Sequence, residues 1–244
     1  MTATTPNQSP DQSPNPSSHQ SDDKTIVRDY FNATGFDRWR RIYGEDEVNV
    51  VQRNIRKGHQ KTVDTVLEWL NADGNLKDLT LCDAGCGVGS LSIPLAQAGA
   101  KVSASDISEK MVEEAKDRAT ALNVADHLTF SVQDLESLSG QYHTVVCLDV
   151  LIHYPQDEAA RMIQHLSSCA EHRLLLSFAP YTCAYNVLKK VGSFFPGASK
   201  ATRAYLHHES EIVKILNEAG WQVGRTAMNK APFYFSRLIE AVKA

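Results

Sequence analysis

Short apolar runs alternate with helical segments along the middle of the chain, and this alternation constrains the fold more than any other feature. Such an order is typical of a parallel sheet with a helix in each crossover, and these crossovers are almost always right-handed. The predicted strands cover residues 79–83, 101–105, 128–132, 143–148 and 172–178. The predicted helices between them cover residues 90–98, 108–122 and 156–170.

The C-terminal part of the chain departs from this alternation. After a predicted helix at 209–219, two strand-like runs at 221–228 and 232–241 are joined only by residues 229–231. So short a connection makes an antiparallel hairpin. The predicted fold class is therefore α/β, with a doubly wound, mostly parallel sheet of seven strands that ends in an antiparallel hairpin.

Two helices are predicted before the first strand, over residues 24–35 and from about 48 to 70, because apolar residues recur there at helical spacing. Residues 1–23 are polar and contain no Lys or Arg, which is typical of a disordered segment and unlike an organelle transit peptide. We therefore predict a disordered tail over 1–23, a helical arm over 24–74 and one α/β domain over 75–244.

Composition narrows the range of partners. A net charge of −4 gives no electrostatic reason to expect a nucleic acid, and no apolar run is long enough to span a bilayer. The five cysteines lie mainly in apolar runs, as reduced thiols of a cytoplasmic protein do. A metal site at Cys82 and Cys86 is disfavoured because no second Cys or His pair follows at zinc-like spacing, so we assign no metal ligands.

A glycine-rich loop follows the first predicted strand and precedes a helix. Residues 83–89 have the pattern D-x-G-x-G-x-G. Glycines let the backbone turn sharply and approach a ligand beside a helix N-terminus. Dinucleotide loops have the pattern G-x-G-x-x-G, but Ser90 stands at the third glycine position. Asp83 suits a ligand with a cationic amino group better than one with a pyrophosphate.

Two more acids follow the next two predicted strands. Asp106 ends the second strand, where a carboxylate can accept both ribose hydroxyl hydrogens. Asp134 follows the third strand, where a carboxylate can accept from an adenine amino group. Each acid alone could be a helix N-cap, although Ser108 serves that role better after Asp106. Three acids at successive strand ends favour an adenosyl ligand over chance.

This ordered set resembles the class I S-adenosylmethionine (SAM)-dependent methyltransferases over roughly residues 75–244. Four further segments resemble the magnesium-protoporphyrin IX O-methyltransferases of chlorophyll biosynthesis, and that resemblance begins near Lys24. These segments are residues 27–39, 43–44, 148–155 and 195–197.

The resemblance implies transfer of the SAM methyl group to one propionate carboxylate of magnesium protoporphyrin IX. The products are the monomethyl ester and S-adenosylhomocysteine (SAH), and the magnesium belongs to the substrate. The resemblance also implies contact with the magnesium chelatase large subunit and peripheral association with photosynthetic membranes. The implied SAM-binding residues are Asp83, which faces the methionyl ammonium directly or through water, and Gly85, Cys86, Gly87, Gly89, Asp106, Ile107, Met111, Gln133, Asp134, Leu135, Leu148, Tyr30 and Arg38.

His153 and Tyr43 are the candidate catalytic residues. His153 follows the fourth predicted strand, and we expect it to orient the propionate, with base catalysis as a second role. The alternative is a histidine at a helix start that makes only a local backbone contact. An arm folded over the pocket would bring the Tyr43 hydroxyl to the carboxylate and exclude water, whereas a core position is the alternative.

Two other features could contact a porphyrin. The basic residues could attract its propionates, although a charged solvent face explains most of them. The insertion at 179–208, with Phe194 and Phe195, could cover a flat apolar substrate or form a small helical pair. The basic residues are Arg38, Arg40, Arg41, Arg53, Arg56 and Lys57.

Three other functions fit parts of the sequence. A SAM-dependent methyltransferase of phenol or quinone hydroxyls would keep the fold and make His153 a true base. A nicotinamide dehydrogenase would need the missing third glycine of the dinucleotide pattern. A protein that binds SAM without using it would keep the loop and acids but would release no SAH.

Overall fold

The computed structural model describes residues 17–181 and 204–244. Its strands are β1 Thr80–Ala84, β2 Lys101–Asp106, β3 Leu128–Val132, β4 Tyr142–Cys147, β5 Ala170–Phe178, β6 Trp221–Ala231 and β7 Tyr234–Lys243. They form one sheet in the order β3-β2-β1-β4-β5-β7-β6. Strands β1 to β5 are parallel, and β7 is antiparallel to both of its neighbours. The predicted fold class is confirmed.

The described helices are α1 Ser17–Asn32, α2 Thr34–Ile42, α3 Val50–Ala72, α4 Ser92–Gln97, α5 Glu109–Ala121, α6 Gln156–Cys169 and α7 Glu209–Glu218. Alternate strand residues point to opposite faces of the sheet, so Val145 and Val146 of β4 belong to different hydrophobic cores. Helices α6 and α7 cover one core, and α3, α4 and α5 contribute to the other. The strand order reverses between β1 and β4, where ligands bind in open α/β sheets.

The N-terminal region contains three helices rather than the two that were predicted. Helix α1 begins at Ser17, directly after Pro16, so residues 17–23 are helical rather than part of a disordered tail. Residues 1–16 of the predicted tail lie outside the described residues. Gly35 does not end a helix, because it lies within α2, where a Cβ atom would overlap the ring of Tyr30. The glycine therefore permits close packing of α2 against α1.

The hairpin turn lies further along the chain than predicted. The predicted connection at 229–231 is wrong, because those residues belong to β6 and Ala231 pairs with Tyr234. Pro232 and Phe233 form the turn, and Phe233 has a φ of 67°. Turns of this length favour Gly, Asn or Asp at positive φ. Neither residue of this turn is one of those types, so turn preferences do not indicate its position.

The two ends of the insertion at 179–208 lie side by side. The N–H of Tyr181 donates to the carbonyl of His207 at 2.8 Å, and the N–H of His207 donates to Ala179 at 2.9 Å. The N–H of Tyr205 donates to the carbonyl of Ile152 at 2.7 Å. This hydrogen bond joins the C-terminal end of the insertion to the turn that contains His153. Residues 182–203, including Phe194 and Phe195, lie outside the described residues.

An ionic cluster around the buried Glu240 fastens the C-terminal end of α3 to the sheet. The carboxylate of Glu240 accepts from Nε and Nη2 of Arg225 at 2.6 Å each, and Nε of Arg173 lies 3.1 Å from it. Both guanidinium groups also reach Asp73, the residue after α3. The guanidinium of Arg225 lies over the ring of Trp69, 5.2 Å from its centroid. The cluster joins β5, β6 and β7 to α3.

Replacing Glu240 by Ala should destabilise the fold, because Glu240 is 3% exposed and its loss leaves two arginines without their buried partner. We expect the free energy of unfolding in urea to fall by about 3 kcal/mol. The matched control is Glu218→Ala, which removes an exposed acid 4.0 Å from Lys214 and should change it by less than about 0.5 kcal/mol. Equal effects of the two substitutions would contradict this account.

Candidate active site

A cavity of ≈ 330 Å³ opens at the carboxyl ends of the parallel strands. The arm, the glycine loop, the ends of β2 and β4 and the hairpin turn all contribute to its wall. Most of the predicted site residues line it, whereas Asp83, Gly89 and Tyr30 do not. The predicted residues in the wall are Arg38, Tyr43, Gly85, Cys86, Gly87, Asp106, Ile107, Met111, Gln133, Asp134, Leu135, Leu148 and His153.

The glycine loop adopts a conformation that side chains would prevent. The N–H groups of Gly85 and Cys86 both donate to the carbonyl of Ser105 at 2.8 Å, which folds the loop back over β2. Gly85 has a φ of 85°, and a Cβ atom there would overlap the side chain of Val150. The loop therefore requires glycine at this position for both conformation and space.

Asp106 is held beside this loop by backbone donors. Its Oδ2 accepts from the N–H of Gly87 and its Oδ1 from the N–H of Ser108, both at 2.9 Å. Burial raises the pKa of Asp106, and these hydrogen bonds oppose the rise. Ser108 is the N-cap of α5, accepting from the N–H of Met111. Asp106 is thus free to present its remaining lone pairs to the cavity.

Asp83 lies behind the loop rather than in the cavity wall. It is 2% exposed, and the hydroxyl of Ser92 donates to its Oδ2. Burial raises the pKa of Asp83 to about 6, and the hydrogen bond from Ser92 only partly offsets this. A contact with a methionyl ammonium through water stays a prediction.

Asp134 connects the arm to the site. Its Oδ1 accepts from the N–H and the hydroxyl of Ser137, so it caps the short turn at Leu135–Ser137. Nζ of Lys24, in α1, lies 3.4 Å from Oδ2 of Asp134 and also pairs with Glu136. The alternative of a helix cap therefore applies to Asp134, which lines the cavity as well. An adenine amino group would share Oδ2 with Lys24.

The two predicted arm residues differ in position. Tyr30 is buried and accepts a hydrogen bond from Nε1 of Trp39 at 3.2 Å, so it packs within the arm. Arg38 lines the cavity, and its buried Nε has no hydrogen-bond partner among the described residues. Its guanidinium lies 5.6 Å from the centroid of the Trp39 ring. An anion in the cavity could pair with this group.

Most of the basic cluster has a structural role or faces solvent. Arg56 donates to the backbone carbonyls of residues 41, 42 and 46, and Arg41 donates to that of Glu47. Arg40 pairs with Asp46 at 3.6 Å, and Arg53 lies 3.5 Å from the carbonyl of Val48. Lys57 is exposed. Of the six, Arg38 lines the described cavity.

His153 lies at the end of a 3-10 turn, Leu151–His153, and lines the cavity. Its ring packs edge-on against Phe31 of the arm, with centroids 5.3 Å apart. Nδ1 is buried and has no hydrogen-bond partner among the described residues. Burial lowers the pKa of His153 to about 4, and the charge of Asp149 only partly opposes this. The imidazole is therefore neutral at neutral pH.

Tyr43 follows α2 and also lines the cavity. Its ring stacks on the ring of His59, with centroids 4.2 Å apart and planes inclined by 35°. Burial raises the pKa of the Tyr43 hydroxyl, and the negative charge of Asp149 raises it further. The hydroxyl consequently stays protonated and acts as a hydrogen-bond donor rather than a base.

Sequence reasoning missed a part-buried hydrogen-bond network centred on Asp149. Its carboxylate accepts from Nδ1 of His59 at 2.8 Å, from the Tyr234 hydroxyl at 2.8 Å and from the Ser177 hydroxyl at 3.0 Å. Burial acts to raise the pKa of Asp149, but these donors outweigh it and lower the pKa. Asp149, His59 and Tyr234 all line the cavity. A signal existed, since Asp149 is a fourth acid at a strand end.

Comparison with known proteins decides the family. A family model described as magnesium-protoporphyrin IX methyltransferase C-terminus matches residues 147–243, and a methyltransferase domain model matches residues 81–172. A magnesium-protoporphyrin O-methyltransferase of Synechocystis sp. is 63% identical over 224 residues, which are 91% of this chain and 97% of that relative. The chain belongs to the magnesium-protoporphyrin O-methyltransferase family.

One further relative and one solved structure support membership of this family. The magnesium protoporphyrin IX methyltransferase of Arabidopsis thaliana, named chloroplastic, is 59% identical over 90% of this chain and 71% of its own. The crystal structure of magnesium protoporphyrin IX methyltransferase from Synechocystis PCC 6803 with bound SAH has a TM-score of 0.85 and 61% identity. It covers 91% of this chain and 100% of that one. Family membership excludes the nicotinamide dehydrogenase.

The raised pKa of Asp83 predicts that SAH binding depends on pH. The carboxylate loses its charge as the pH falls through about 6. If Asp83 faces the methionyl ammonium, as the sequence predicts, that attraction is then lost. Calorimetric titration should show affinity falling about tenfold between pH 7 and pH 5. The variant Asp83→Asn should bind weakly at both pH values. An unchanged pH dependence in that variant would assign the effect to another acid and contradict the prediction.

Proposed function

We propose that the chain transfers the methyl group of SAM to a propionate carboxylate of magnesium protoporphyrin IX, giving the monomethyl ester in chlorophyll biosynthesis. The main support for this proposal is a relative named for this activity, which is 63% identical to this chain over 97% of the relative's length. The cavity fits such a reaction, because one end has the glycine loop and the other is walled by the aromatic arm. SAM supplies an electrophilic methyl group, and magnesium enters with the porphyrin.

The loop end of the cavity is suited to the adenosyl group. Asp106 can accept the ribose hydroxyl hydrogens with the lone pairs that Gly87 and Ser108 leave free. Apolar side chains beside it can pack on the adenine, and Gln133 and Asp134 offer polar contacts. The apolar residues are Ile107, Met111, Leu135 and Leu148.

The acceptor end is suited to a nucleophile that is already ionised. A propionate has a pKa near that of Glu, about 4.3, so no base is needed at neutral pH. A neutral His153 and a protonated Tyr43 can each donate one hydrogen bond to orient the carboxylate. Arg38 can neutralise an approaching propionate. Catalysis then depends on alignment and exclusion of water.

A phenol or quinone acceptor fits this site less well. Its hydroxyl would have to lose a proton in the reaction, and His153 is the base that the sequence offers. A histidine whose burial lowers its pKa to about 4 is a weak base at neutral pH. The low pKa of His153 therefore favours a carboxylate acceptor over a hydroxyl.

Cell location and protein partners are inferred from the family resemblance. We expect a cytoplasmic protein that associates peripherally with photosynthetic membranes and contacts the magnesium chelatase large subunit. No helix of the described residues is long and apolar enough to cross a bilayer. Within those residues, no three His, Cys, Asp or Glu side chains come together as a metal site.

Turnover of magnesium protoporphyrin, followed by ester formation, should separate the two ends of the cavity. His153→Ala should lower kcat about 10- to 100-fold through lost orientation and leave SAH affinity within about twofold. With saturating SAM, kcat of the wild-type protein should be flat from pH 6.5 to 9, because His153 stays neutral. An ionisation near pH 6.5 that disappears in His153→Ala would establish a base and contradict the prediction. Binding of SAM without release of SAH would show that the protein binds SAM but does not catalyse methyl transfer.

A further inference from the structure

One ring nitrogen of His59 has no hydrogen-bond partner among the described residues, and the residue lies in the wall of the cavity. The residue is 9% exposed and lines the cavity. Its Nε2 is buried and has no hydrogen-bond partner among the described residues. A buried polar atom that is left unpaired is costly, and native proteins leave few of them. A ligand that completes Nε2 would remove this cost.

The other ring nitrogen is held by a carboxylate. Nδ1 of His59 donates to Asp149, which is an acceptor only when ionised. In the neutral ring this fixes the lone pair on Nε2 and fixes the ring plane. A carboxylate behind one imidazole nitrogen is the recurrent arrangement of histidines that bind a metal through the other. His153 also lines the cavity, but no described carboxylate contacts its ring.

The surroundings of His59 suit a flat apolar ligand. Tyr43 stacks on one face of the imidazole. Ile55 lies one turn earlier on α3 and also lines the cavity, as do Phe233 and Tyr234 at the hairpin turn. Phe233 is 63% exposed, so an aromatic ring lies at the rim. These side chains can pack on a macrocycle while Nε2 meets its centre.

We propose that Nε2 of His59 is the axial ligand of the magnesium ion in the porphyrin substrate. The inference rests on the proposed function and adds a metal contact to it. Four pyrrole nitrogens bind the ion in the macrocycle plane, and an axial position stays open on each face. Coordination replaces a solvent ligand on the magnesium with Nε2 and breaks no other bond. His59 would thus select the metallated porphyrin and fix the propionate's distance from the methyl group.

Absorbance titrations of the SAH-loaded protein test this proposal. The probes are magnesium protoporphyrin IX and metal-free protoporphyrin IX. The wild-type protein should bind the magnesium form at least about tenfold more tightly. His59→Ala should lose that preference while keeping its affinity for the metal-free form within about twofold. Added imidazole should restore the preference, because it can occupy the space that the side chain leaves.

His153→Ala is the matched control, since it removes the other histidine in the cavity wall. This variant should bind both porphyrins more weakly by similar factors and keep the preference for the magnesium form. If His59→Ala lowers the affinity for both porphyrins equally, or for neither, the role of His59 as axial ligand is refuted while the proposed function stands. If the wild-type protein binds neither porphyrin, the proposed function fails as well.

A measurement on the wild-type protein covers the case in which His59→Ala does not fold, which SAH binding would reveal. The absorption band of bound magnesium protoporphyrin should coincide with that of its imidazole adduct in solution. A band at the position of the solvent adduct would overturn the proposal.

Discussion

The acceptor end of the site depends on one part-buried carboxylate, that of Asp149. The residue follows β4 with a φ of 58°, a conformation that Asp and Asn tolerate better than most residues. A buried charge is costly unless donors surround it. Here His59, Tyr234, Ser177 and Ser236 supply them, from α3, β7 and β5. The carboxylate therefore fixes three elements against the end of β4.

The two ends of the cavity are built in different ways. At the loop end, residues close in sequence fold a loop over β2, and backbone N–H groups hold Asp106. At the acceptor end, contacts join residues far apart in the chain, such as His59 and Asp149. Close packing supports these long-range contacts at the acceptor end, because a Cβ atom at Gly58 would overlap the ring of Tyr234. Residues that select the substrate can therefore differ without a change in the loop end of the cavity.

Local patterns predicted the sheet, and most of the residues they suggested for the loop end line one cavity, because periodicity and glycine spacing are local properties. They failed where a long-range contact decides the structure. Gly35 suggested the end of a helix, but it lies against Tyr30 inside one. The hairpin turn at Pro232 and Phe233 lacks the usual turn residues. No local pattern marked His59, since its partner lies 90 residues away.

The variant Asp149→Asn tests the central role of this carboxylate most directly, because Asn keeps the size and tolerates the backbone conformation. Affinities for SAH and for magnesium protoporphyrin IX should be measured on the same preparation. We predict that SAH affinity changes by less than about twofold, whereas porphyrin affinity falls at least about tenfold as His59 and Tyr234 lose their charged acceptor. Unchanged porphyrin binding, or an equal loss of both ligands, would contradict the account.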